Sequence, residues 1–152
     1  MRCLMLIFCC ALAFSSIAEA AEGRVLKVLP QFLDEKGRSS LTPSLYDRDA
    51  YQAQLRRNPS KRSGLRFAVQ WKAKVPATET LLLRVEIRGV AAADPTKTTV
   101  KEVPLQPHRW FSHWANVTLS KEEYQKLGEV TAWRVTLLDG QTVLAVQQSF
   151  LW

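Results

Sequence analysis

One short run in the middle of the chain restricts the fold more than any other. Leu65, Phe67, Val69, Trp71 and Ala73 alternate with Arg66, Ala68, Gln70, Lys72 and Lys74. A period of two puts one set of side chains on each face of a β-strand, so this run reads as a strand with one buried and one wet face. Leu81, Leu83, Val85 and Ile87 repeat the pattern against Leu82, Arg84, Glu86 and Arg88. Pro76 and Thr78 separate the two runs as a loop, so these strands are expected to pair or to lie close together.

The C-terminal segment VTAWRVTLLDGQTVLAVQQSFLW carries two apolar runs joined by Asp139-Gly140. Asp-Gly between alternating runs predicts a hairpin, because both central residues of a type I′ turn need positive φ. A two-residue loop there sets Leu138 opposite Gln141, Val135 opposite Leu144 and Trp133 opposite Val146. Trp133, Val135 and Leu137 then share a face with Leu144 and Val146.

Three more strands are expected, over residues 24–33, 98–105 and 109–119. Pro30 marks the first as an edge strand or a bulged one, since proline donates nothing to a ladder. Two helical pieces interrupt the strands. PSLYDRDAYQAQLRRNP predicts a helix over about 44–57, capped by Ser44 and Asp47 and closed by Pro59, with Leu45, Ala50, Tyr51 and Leu55 as its apolar stripe. LSKEEYQKLGE predicts a helical turn over about 120–127, since Ser120 and Glu123 form a capping box and Gly128 suits a C-terminal stop. That turn crosses between two sheets.

About seven short strands at this spacing predict an all-β fold, an antiparallel β-sandwich of two layers. The arrangement resembles immunoglobulin-like and fibronectin type III-like domains over roughly residues 24–152. The resemblance implies inward-facing Trp71 and Trp133 and a corner tyrosine at Tyr124. The inter-sheet disulfide of such domains is absent, and the helix at 44–57 is an insertion most of them lack. LYDRDAYQAQLRR together with GLRFAVQWKAK also resembles small exported bacterial proteins of unassigned activity.

The first 20 residues read as a signal peptide. Arg2 precedes an apolar run over 3–14, and small residues follow to Ala18-Glu19-Ala20. Cleavage is expected after Ala20, with Ala18 the second choice. The apolar run falls short of the roughly 20 residues that span a bilayer, which argues against a retained anchor. Phe8 before Cys9 argues against lipid attachment at Cys9 or Cys10. All three cysteines, Cys3, Cys9 and Cys10, lie in this segment, so the mature chain 21–152 is expected to have no thiol chemistry and no disulfide. It is expected to form a single domain, exported to a periplasmic or extracellular location, with no transmembrane segment after cleavage. Loss of Arg2 and Glu19 leaves the net charge at +7.

Catalytic groups are sparse. His108 and His113 are the only histidines, both in HRWFSHW, and a hydrolase would have to use one of them. No Gly-x-Ser-x-Gly elbow accompanies them, and residues five apart on a strand face opposite ways, so they do not readily share a metal. Asp47 and Glu123 are accounted for by helix capping, Asp34 and Glu35 by a turn. The expectation is a non-catalytic binding or structural module of the cell envelope, with no metal and no cofactor.

Two stretches are candidate binding sites. RRNPSKRSGLR places Arg56, Arg57, Lys61, Arg62 and Arg66 in a run without an acid, and Lys72 and Lys74 share the wet face of Arg66's strand. Such a patch attracts polyanions, which outside the cytoplasm means acidic glycan, lipopolysaccharide or extracellular DNA. Specific nucleic-acid recognition is not expected, because Phe67 and Trp71 should face inward rather than interleave with the charges. The plainer reading is a solvated basic surface, and the alternative partner is another envelope protein. The second stretch holds Trp110 and Trp114, which have the same parity. On an exposed face they would form a stacking platform for a sugar ring, but the preferred reading places both in the core.

Overall fold

The computed structural model describes residues 22–74, 80–90, 98–106 and 111–152. The signal-peptide segment 1–20, His108 and Trp110 lie outside the described residues. Those described form seven strands and two helices: β1 (Glu22–Asp34), α1 (Leu45–Arg57), a 3-10 turn (Pro59–Lys61), β2 (Arg62–Lys74), β3 (Leu81–Gly89), β4 (Thr99–Leu105), β5 (His113–Leu119), α2 (Lys121–Leu127), β6 (Val130–Asp139) and β7 (Thr142–Gln148). They stack as two antiparallel sheets, one of order β1-β2-β5 and one of order β4-β3-β6-β7.

The alternating runs behave as their period demands. Leu65, Phe67, Val69, Trp71 and Ala73 are buried on the inner face of β2. Leu81, Leu83, Val85 and Ile87 are buried on the inner face of β3, and Val117, Leu119, Val135 and Leu137 complete the core. Trp133 packs against this cluster edge-on to Phe67, with ring centroids 6.4 Å apart. β2 and β3 do not pair with each other. They belong to opposite sheets, and each brings its apolar face to the other across the core.

The hairpin register also differs from expectation. Asp139 pairs with Thr142, so Gly140-Gln141 forms the loop. Gly140 alone has positive φ, 54°, which fits a II′ turn with glycine at its first position rather than I′. A bulge follows: Leu138 pairs with Val143 but Leu137 with Ala145. The extra residue lets Leu144 turn toward the core and rotates Val146 to the outside, where it is 51% exposed.

Local capping is as the sequence indicates. Ser44 accepts from the Asp47 amide at the start of α1, while Ser120 and Glu123 form the capping box of α2. Glycine at position 128, with φ of 75°, ends α2. The expected apolar stripe on α1 reduces to Leu55, which is buried; Leu45 and Ala50 are exposed, and Tyr51 is half-buried.

α1 lies along β1, an edge strand as Pro30 foretells. The Gln52 amide serves this edge as a neighbouring strand would. Phe32 N–H donates to Gln52 Oε1 at 2.8 Å, and Gln52 Nε2 donates to the Phe32 carbonyl at 2.9 Å. With Pro30 lacking a donor and a bulge between Val25 and Lys27, this edge is poorly suited to pairing with another chain.

Candidate binding surface

The basic segment does not act as one patch. Arg56 and Arg57 stand exposed in the last turn of α1, where positive charge is favoured by the helix dipole, and Lys61 is exposed beside them. Arg62 turns inward, its side chain 3% exposed. It donates to the Leu55 carbonyl at 2.7 Å and to Tyr124 Oη at 2.9 Å, and also to the Arg56 carbonyl and to Glu129. Its guanidinium lies 4.1 Å from the centre of the Phe32 ring. Arg62 therefore clasps α1, α2 and Glu129, the residue before β6, together. Burial raises the Tyr124 pKa even though Arg62 pulls it the other way.

Arg66 is half-buried on the outer face of β2, donating to Gln31 Oε1 at 2.8 Å and to Ser39 Oγ at 2.5 Å. Lys72 and Lys74 are exposed at the far end of the same strand. At about 3.3 Å per residue, they lie some 30–40 Å from Lys61. One small ligand could not reach both groups.

Strand register shows what stands around Lys72. Antiparallel partners share a face, so the outer face of the three-stranded sheet carries rows that run across the strands. Lys74 is opposite Glu22, and Lys72 opposite Arg24. The next row is Lys27, Gln70 and Trp114, followed by Leu29, Ala68 and Asn116, then Gln31, Arg66 and Thr118. Among the described residues this face thus holds five bases, Arg24, Lys27, Arg66, Lys72 and Lys74, against one acid, Glu22. Arg24, Lys27 and Lys72 form no ion pair with the described residues. The outer face of the other sheet is mostly paired instead: Arg134 forks onto Glu86 at 2.7 and 2.9 Å, Arg84 pairs with Glu102, and Arg88 stacks on the Trp152 ring.

Trp114 is not a core residue. It lies on the outer face, 51% exposed, while its neighbour His113 faces inward with its ring 5.7 Å from that of Trp71. Parity carried this information. Ala115, Val117 and Leu119 are the buried set of β5, so Trp114 must fall with Asn116 and Thr118. Side-chain size pointed the wrong way.

Next to Trp114 the surface opens into a cleft of about 600 Å³, lined by Glu22, Arg24, Lys72, Lys74, Phe111 and Ser112 among others. Phe111 is 76% exposed. Ser112 Oγ accepts from Gln70 Nε2 at 3.0 Å and so joins the cleft to the Trp114 row. Arg24, Lys27 and Phe111 were not singled out in the sequence; only the pairing of β1 with β2 brings the first two to Lys72.

No protein-family model matches the chain, and no curated protein matches it. Among solved structures it is similar to part of a β-glucosidase from Kluyveromyces marxianus: 57% of this chain aligns with 12% of that one, at 14% identity and a TM-score of 0.31. A likeness that slight carries no argument.

A second, smaller cavity of about 260 Å³ lies between the turn after β1 and α1, lined by Asp34, Arg38, Tyr51 and Lys61 among others. Asp34, the buried one of its two acids, is fully committed. Burial pushes the Asp34 carboxyl upward, but hydrogen bonds from the Arg38 amide, Tyr51 Oη, Arg38 Nε and the Lys36 amide outweigh it and hold the pKa at about 2. The bond to Asp34 in turn raises the Tyr51 pKa. A carboxylate so satisfied is a poor proton acceptor, and the group reads as a structural brace for the turn.

Proposed function

We propose that this protein is an exported, non-catalytic binding module of the cell envelope, holding anionic polymers on the outer face of its three-stranded sheet. The observation that carries the reading is the excess of base over acid among the described residues of that face, where Arg24, Lys27 and Lys72 have no ion-pair partner among them, beside exposed Trp114 and Phe111. A concentration of like charge raises the local concentration of a polyanion and is sensitive to salt. Acidic glycan, lipopolysaccharide and extracellular DNA are the polymers available in a periplasmic or extracellular setting. Export rests on the signal-peptide pattern of residues 1–20.

The strand order supports the finer, immunoglobulin-like reading of the fold. First, second and fifth strands make one sheet, and third, sixth and seventh share the other, with β4 joined at the latter's edge. Tyr124 sits just before the sixth strand, as a corner tyrosine would, but its hydroxyl partner is Arg62 rather than a backbone group.

Retention on heparin-agarose tests the function. Replacing Arg24, Lys27, Lys72 and Lys74 with Ser lowers the salt needed for elution far more than replacing Arg56, Arg57 and Lys61 with Ser. Equal elution of the four-residue variant and the parent, with both folded by circular dichroism, overturns the reading. So does hydrolysis of glycan, ester or peptide panels by the purified protein.

A further inference from the structure

We infer that the polymer bound on this face is an acidic polysaccharide, its sugar rings stacked on Trp114 and its acid groups held by Lys27, Lys72 and Arg24. The inference rests on the proposed anionic-polymer binding and narrows the ligand to one class.

Charge explains the bases but not the aromatic rings. Trp114 and Phe111 leave large apolar surfaces in water, and such surfaces clustered in a polar rim mark interaction sites. Their surroundings are chemically specific. Asn116 and Thr118 are exposed on the same face as Trp114, and Gln70 with Ser112 stands on its other flank. Amides and hydroxyls donate and accept, which suits a ring edged with hydroxyl groups. The cations stand apart from the indole, on β1 and β2, one or two strand spacings of about 4.8 Å away. A ligand that fits offers an apolar ring face, hydroxyl groups around it and an acid group projecting to one side. Sugar acids meet all three conditions. Polyphosphate has no ring to stack. Single-stranded nucleic acid meets one aromatic per base along a basic groove, whereas among the described residues the cations stand to one side of Trp114, with Phe111 the other exposed ring there.

Calorimetric titrations with four probes separate the possibilities: an oligogalacturonate, a heparin oligosaccharide, a polyphosphate of matched charge and an oligothymidylate. At least one of the two glycans is expected to bind about tenfold tighter than polyphosphate, a margin of about 1.4 kcal/mol. Trp114→Ala erases that margin and leaves polyphosphate binding unchanged, whereas Lys27→Ser with Lys72→Ser weakens every probe. If neither glycan exceeds polyphosphate, or Trp114→Ala leaves the margin intact, the inference fails while anionic-polymer binding stands. Oligothymidylate bound tighter than either glycan, and through Trp114, also overturns it. Absence of binding to all four removes the inference and the proposed function together.

Discussion

Replacing Arg62 with Met tests whether this residue is a buried clasp or a ligand-facing cation. Methionine keeps the aliphatic stem and removes the guanidinium. The change strands the Leu55 and Arg56 carbonyls at the end of α1, frees the Tyr124 hydroxyl and unpairs Glu129. Breaking a buried ion pair costs about 3–5 kcal/mol. Glu129 is 58% exposed, however, and recovers its solvation from water. That places the loss at the lower end, about 3 kcal/mol, most of it from the carbonyls and the Phe32 contact. For a domain of this size the melting temperature falls by on the order of 10 °C. Arg62→Lys retains charge and stem but cannot fork to four acceptors, and recovers only part of the loss. Urea unfolding followed by tryptophan fluorescence measures the change, as a lower midpoint at unchanged slope. A midpoint equal to the parent's, combined with weaker heparin retention, would show that Arg62 works at the surface and that the clasp is wrong.

Asp34 gives a pH test. Its folded pKa, about 2, lies below the ordinary 3.8, so it contributes stability above pH 4 and loses it as pH falls from 3.8 toward 2. Its side chain is 9% exposed, and the contribution is about 2 kcal/mol. The stability gap between the parent and Asp34→Asn should therefore narrow between pH 5 and pH 2; a constant gap refutes the brace. Gly89→Ala sets a Cβ 2.3 Å from the Leu127 carbonyl oxygen and 2.7 Å from Leu127 Cγ, and should cost about 2–3 kcal/mol in denaturant unfolding. Gly37→Ala meets nothing within 4 Å and is strained only by its φ of 72°, so its cost should be about 1 kcal/mol. Equal effects at the two glycines would contradict the packing of α2 on β3.

The strands and both helices were legible in the primary structure because their causes are local. Period-two alternation in β2 and β3 makes one face apolar whatever it meets, and Ser44, Ser120, Glu123 and Gly128 satisfy helix ends a few residues away. The outward position of Trp114 was also legible from the parity of Ala115, Val117 and Leu119, although its bulk suggested burial. Other features depended on distant partners. The Asp-Gly turn alone favours one hairpin register, but the observed ladder carries a bulge that lets Leu144 face the core, which no local preference encodes. Arg62 reads as one more charge in a basic run until α1, α2 and Glu129 close around it.

Alternation and capping thus determined which residues form strands and helices and which faces are oily, since these follow from backbone geometry within a few residues. Only the tertiary structure decided that Arg62 is internal and that Arg24 and Lys27 join Lys72 and Trp114 on one face. Those neighbours come together through strand pairing and helix docking across long sequence separations, where charge pattern along the chain holds no record of proximity in space.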